Sequence, residues 1–177
     1  MSPSATLNPG EHAAVWAALA DLADPEIPVI SLRELGILRA VRTGADGQTE
    51  VVITPTYSGC PAMGQIEDDV RAALHAAGIA GRVVTQLAPA WTTDWMTPAA
   101  RDKLRAYGIA PPQCGSQPPQ GAGVLRFARQ PQPRDTVPCP QCGSVNTTET
   151  SPFGSTACKA LYRCLDCLEP FDYFKPI

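Results

Sequence analysis

The sequence predicts an α+β fold: a small α/β domain running helix, β-hairpin, helix, strand, helix, followed by a four-cysteine module. Three observations carry this. Apolar residues recur at helical spacing along residues 61–77, two β-type runs flank a Gly/Asp turn near residue 45, and two Cys-x-x-Cys pairs lie close to the chain end. With 177 residues, 44% of them hydrophobic, the chain can bury one core and carry a small appended unit.

The first helix is expected over Glu11 to Ala23, an Ala-rich stretch with Val15, Leu19 and Leu22 at helical spacing, stopped by Asp24-Pro25. A loop holding Pro25 and Pro28 follows. Ile37 to Arg42 and Glu50 to Thr54 read as strands of a hairpin turning at Gly44-Ala45-Asp46-Gly47. From Pro61 to Ala77, Met63, Ile66, Val70, Leu74 and Ala77 form an apolar stripe opposite Gln65, Asp68, Asp69 and Arg71. Pro61 suits the first turn of that helix and Gly78 the residue past its end. Arg82 to Leu87 gives a third strand. Thr97-Pro98 opens a last helix that ends at Gly108 and turns Leu104 and Tyr107 toward the core.

The domain boundaries expected are 1–110 for the α/β domain, 111–136 for a linker and 137–177 for the cysteine module. Seven prolines and three glycines fall between Pro111 and Pro138, a density that favours an extended connector. Within it, Val124 to Arg129 has the composition of a strand that could pair with the tail.

The net charge of −3 divides as about −4 over residues 1–110, +2 over 111–138 and −1 beyond, so no basic patch is available to neutralise phosphates. Nucleic acid is not an expected partner. No apolar run is long enough for a membrane span, and the N-terminus lacks the regions of a signal peptide. A cytoplasmic protein is expected, and in that compartment seven cysteines point to metal or reactivity rather than disulfides.

Cys139-Pro-Gln-Cys142 and Cys164-Leu-Asp-Cys167 are separated by twenty-one residues, the spacing of a paired-knuckle, zinc-ribbon-like site. Gly143, directly after the second thiolate, permits a tight turn whose amides face sulfur. A module with few large aliphatic residues gains its stability from the metal. Zinc is the default occupant, and the same ligands suit iron or an iron-sulfur cluster. Cys158, six residues before Cys164, is an alternative ligand or a spare thiol, and Cys114 stands apart with no assigned role. Phe171, Tyr173 and Phe174 at the end of the chain either contact a partner protein or cover the knuckles.

Cys60, in Thr56-Tyr57-Ser58-Gly59-Cys60-Pro61, links a strand to the strongest helix, where the helix N-terminus should lower a thiol's pKa. A nucleophile or transient metal ligand would fit there, with Gly59 allowing close approach. On these residues alone a cysteine that merely packs is the simpler reading. Cysteine-histidine catalysis has little support, because His12 is on the first helix and His75 lies some 20 Å along the second at about 1.5 Å per residue. Asp68 and Asp69 are adjacent on the helix, point apart, and read as a solvated face.

Asp24-Pro25-Glu26-Ile27-Pro28, Leu35-Gly36 and Thr56 to Pro61 together resemble the α/β domain of iron-sulfur maturation factors, which include the bacterial Suf-system T protein and the eukaryotic cytosolic iron-sulfur targeting factors. Ala90-Trp91-Thr92-Thr93-Asp94-Trp95-Met96, with the tail motif Ser151 to Cys164, narrows this. The whole chain resembles the D-subunit family of phenylacetyl-CoA epoxidase (phenylacetate degradation) systems. The resemblance implies an accessory protein of a ring-epoxidising di-iron oxygenase, without catalytic activity of its own, that helps assemble or repair an iron-sulfur centre in the reductase component. It makes Cys60 the reactive, cluster-handling thiol and places Asp24 and Glu26 in an acidic loop. The partners implied are the reductase or other oxygenase components and the iron-sulfur assembly machinery, with homodimerisation left open. A stoichiometric oxygenase subunit that binds through its zinc ribbon is the competing expectation.

Overall fold

The computed structural model describes residues 12–113 and 136–177. Most of the proline-rich connector, with Cys114 and the strand expected over Val124 to Arg129, lies outside the described residues.

The first helix, α1 (Ala13–Ala18), buries Val15 and Trp16 and is shorter than expected. It ends well ahead of Pro25 because the chain tightens into three-residue turns, Ala20 N–H to Ala17 O and Leu22 N–H to Leu19 O. Ala23–Asp24 (β1) is then drawn into an antiparallel pair with Ile27–Ser31 (β2), so the expected loop is a tight hairpin instead. One turn of helix follows, α2 (Leu32–Leu35), with Ser31 and Glu34 forming a reciprocal capping box. It closes on Gly36 at φ +79, and a Cβ there would stand 2.8 Å from the Trp95 Cβ and carbonyl oxygen, so both backbone angle and space require glycine. That explains the Leu35-Gly36 pair.

The hairpin is present as β3 (Leu38–Thr43) and β4 (Thr49–Ile53), antiparallel. Helix α3 (Met63–Ala76) crosses over to β5 (Gly81–Thr85), which pairs parallel to β4, a βαβ unit. The stripe Ile66, Val70 and Leu74 is buried, while Arg71 on the outer face binds Glu67 and Asp68, each at 2.7 Å. After a 3-10 turn at Thr93–Trp95 comes α4 (Pro98–Tyr107), capped by the Thr97 side chain and ended by Gly108 at φ +92. Leu104 is fully buried, but Tyr107 is half exposed: it sits in the last turn, past the face that packs. No helix among the described residues is long and apolar enough to cross a membrane.

The tail forms β7 (Thr147–Ser151), β8 (Lys159–Cys164) and β9 (Pro170–Phe174), an antiparallel ribbon. It is joined to the first unit by β6 (Ile109–Ala110), which leaves α4 and pairs parallel with Asp172 and Tyr173 of β9. Phe174 inserts into the main core, its ring centroid 6.0 Å from that of Trp91, and Thr93 N–H donates to the Ile177 carbonyl at 3.1 Å. Phe171 and Tyr173 pack with Cys139 and Cys164. All three aromatics are buried: Phe171 and Tyr173 cover the knuckles, while Phe174 fills the first unit's core.

Candidate metal centre and a second thiol site

Each Cys-x-x-Cys pair forms a turn at one end of the ribbon, and the turns face each other. Sγ of Cys139 lies 3.7 Å from that of Cys167, Sγ of Cys142 lies 3.6 Å from that of Cys164, and all four fall within 4.8 Å of one another. A tetrahedral ion with bonds of about 2.3 Å to sulfur sets its ligands about 3.8 Å apart, so the donors fit a single ion. Cys139 and Cys164 are buried beneath the aromatics, while Cys142 and Cys167 reach the surface.

Backbone amides converge on these sulfurs. Ser144 N–H donates to Cys142 and Glu169 N–H to Cys167, the same two-residue reach in each turn. Hydrogen bonds from the Cys167 and Asp166 amides hold the Cys164 thiol down at about 7. Against the hydrogen bond from the Glu169 amide, burial and the three neighbouring thiols push Cys167 up to about 12. Four sulfurs in this space cannot all ionise without a cation among them. The residue after each second cysteine is left-handed, Gly143 at φ +74 and Leu168 at φ +66. Between the turns, the Asp166 carboxylate accepts from the Ser144 hydroxyl and, at 2.7 Å, from the Asn146 side chain. Neither Leu168 nor the Asp166 clamp is among the residues singled out from sequence. Their only signal is positional: Leu168 occupies the place of Gly143, and Asp166 lies inside the second Cys-x-x-Cys.

Cys158 does not join this centre. It immediately precedes β8, whereas Cys164 ends it, and six residues of strand span about 20 Å. Its side chain packs instead against the core of the first unit, which Cys60 also lines. The role of alternative ligand is therefore corrected by the length of β8.

Cys60 lies in a turn three residues before α3, with its amide bonded to the Tyr57 carbonyl at 3.1 Å. The Ala62 N–H and the Thr56 hydroxyl bond to its sulfur. Its thiol is nevertheless raised, not lowered. Burial is the main cause and outweighs the Ala62 bond, with Cys158 and Asp24 adding to the rise. The expectation of an acidic thiol assumed an exposed helix start. Asp24 is 6% exposed and its Oδ1 accepts from Glu26 N–H at 2.8 Å and Ile27 N–H at 3.0 Å, which shapes the β1–β2 turn. Burial also raises this carboxyl. Glu26, next in the turn, is exposed. His75 is exposed at the far end of α3, and Asp68 and Asp69 serve separate partners, Arg71 and Gln65.

Residues 126–175 match the family model described as the PaaD zinc beta ribbon domain, and residues 12–86 match that of an iron-sulfur cluster assembly protein. Over its full length the chain is 49% identical to the D subunit of 1,2-phenylacetyl-CoA epoxidase from Escherichia coli, covering 100% of both chains. An Fe-S protein maturation auxiliary factor of Porphyromonas gingivalis is 37% identical over 46% of this chain and 78% of its own. The Fe-S protein maturation auxiliary factor YitW of Bacillus subtilis is 32% identical over 52% of this chain and 84% of its own. With an iron-sulfur assembly domain in front and a zinc ribbon behind, the chain belongs to the D-subunit family of 1,2-phenylacetyl-CoA epoxidases.

Proposed function

We propose that this protein serves a phenylacetyl-CoA ring-epoxidising di-iron oxygenase by assisting iron-sulfur cluster assembly or repair in its reductase component. Cys60 is the cluster-handling thiol, and the ribbon holds zinc. The observation that carries this reading is the joining of an assembly-type domain, whose half-buried Cys60 is next to the buried Asp24, to the ribbon of an epoxidase subunit family. Sulfur separations of 3.6 and 3.7 Å support one tetrahedral ion in the ribbon, because a cluster interposes several iron and sulfide atoms between its thiolates. The protein acts in the cytoplasm with the reductase, other oxygenase components and the assembly machinery as partners, and without catalytic activity of its own.

Deleting the gene should leave the oxygenase proteins present and the reductase poor in iron and acid-labile sulfide. A Cys60→Ser chain that restored both cluster content and oxygenase activity to such a strain would end the role of Cys60. One observation favours the second reading, a stoichiometric oxygenase subunit: Val145, Leu165 and Leu168 stand exposed around the knuckles, as a docking surface would. Reconstitution with fully loaded components separates the two. Equal turnover with and without this chain supports maturation, and a requirement for it during turnover supports a subunit.

A further inference from the structure

A groove of about 480 Å³ runs alongside the ribbon's own small core, and Val137 and Tyr173 belong to both. Thr136, Glu149, Tyr162 and Pro176 are among its other walls. One side is β7, the edge strand of its sheet, with no strand beyond it among the described residues. The single charged wall is Glu149, which accepts from the Tyr162 hydroxyl at 3.3 Å and has no ion pair among the described residues. The groove therefore offers rings and an aliphatic side chain beside one negative charge that lacks a counterion.

Both ends of the connector stand at this groove. Thr136 lines it, the Gln113 side chain donates to the Thr136 carbonyl at 2.6 Å, and the Thr147 hydroxyl donates to the Val137 carbonyl at 2.7 Å, fixing the incoming chain against β7. Residues 114–135, which lie outside the described residues, thus leave from and return to one spot. Phe127 is nine positions before Thr136, so it lies within about 30 Å of the groove at full stretch. A tether of this kind gives an effective concentration on the order of mM, above that of a second copy in dilute solution. Among these residues, 124–129 read Val-Leu-Arg-Phe-Ala-Arg, and a period of two puts Leu125, Phe127 and Arg129 on one face. The stretch 111–138 carries a net charge of about +2, opposite in sign to Glu149. The zinc ribbon match also reaches back to residue 126, ten positions ahead of Thr136.

We propose that the groove is a docking surface for residues 124–129 of the same chain. Leu125 and Phe127 pack against Val137, Tyr162 and Tyr173, and Arg129 pairs with Glu149. Docking brings a leucine and a phenylalanine to a ribbon core that otherwise consists of Ala110, Val137, two cysteines and two aromatics. It also leaves the exposed knuckle residues Val145, Leu165 and Leu168 as a surface separate from the groove. The inference is independent of the role proposed for Cys60.

The test is amide hydrogen exchange on the full chain loaded with zinc, read by mass spectrometry over residues 124–129. Their exchange should be at least tenfold slower than in a free peptide of the same sequence, and independent of protein concentration. Phe127→Ser should abolish the protection. Glu149→Arg and Arg129→Glu should each reduce it several-fold, and the chain carrying both changes should recover most of it, which a merely structural effect of either change would not do. Retained zinc shows that each variant is folded. Exchange at the free-peptide rate in the parent overturns the proposal. So does protection that Phe127→Ser and Glu149→Arg leave intact, since the segment would then lie elsewhere, or a double variant no better than the singles. Protection that grows with concentration, together with a dimer by light scattering, would assign the groove to a second copy and overturn the intramolecular reading.

Discussion

The ribbon thiols and the junction thiols differ in what surrounds sulfur. In the ribbon, four sulfurs crowd within 4.8 Å and backbone amides point at them, so the polypeptide has built the negative half of a metal site in advance. At the junction, Cys60 and Cys158 pack on one core from distant segments, and burial keeps their protons on. The first arrangement fits a single resident ion. The second keeps two neutral thiols.

The largest effect separating the two should come from Cys164→Ser. Cys164 is fully buried, and a structural zinc site of this kind contributes about 10–16 kcal/mol of binding free energy. The variant should lose zinc to a mild chelator and lose the order of β7 to β9, which metal analysis and near-ultraviolet dichroism would record. Cys60→Ser should retain its zinc under the same treatment.

Phe174→Ala tests whether the two regions are one cooperative body. Removing this ring from the core around Trp91 should cost about 3–5 kcal/mol. Unfolding in urea followed by tryptophan fluorescence and by zinc release should coincide in the parent and separate in the variant.

Leu168→Gly should stabilise the ribbon by about 1 kcal/mol, since a left-handed leucine is strained and this side chain is largely exposed. Gly143→Ala should lose a similar amount at the equivalent place in the other knuckle, for the backbone angle alone, because nothing lies near enough to clash. Urea midpoints of the zinc-loaded chains measure both.

The smallest effect concerns Asp24 and pH. Burial raises its carboxyl above the ordinary 3.8, so the folded state holds the proton more tightly than the unfolded one. Its ionisation then opposes folding as pH rises through and above that value, and has no effect below it. Asp24→Asn should match the parent near pH 3 and gain stability relative to it toward pH 6, in urea titrations across that range. A variant whose relative stability fell with rising pH would show that the Asp24 charge is already compensated.

Much of this was legible in the residues because it is local. The stripe from Ile66 to Leu74, the Thr97 cap and the Gly108 stop specify α3 and α4 through neighbours three or four positions apart. Cys139, Cys142, Cys164 and Cys167 announce their centre through spacing, since a knuckle is a turn of a few residues. The capping box of Ser31 and Glu34 was equally local and went unread, hidden by the prolines before it. The length of α1, by contrast, was set by the pull of β2 on Ala23 and Asp24, a partner outside the helix.

By itself, the sequence determined the α+β class, the main helices, the hairpin and the four-thiol centre, because each depends on groups close together along the chain. Only the tertiary structure decided that β6 would pair with β9, that Phe174 would enter the first core, and that Cys158 would pack on that core rather than join the ribbon cysteines. It also reversed the direction expected for the Cys60 thiol. Burial and the approach of distant charges arise only when separate segments pack, and no spacing within one segment encodes them.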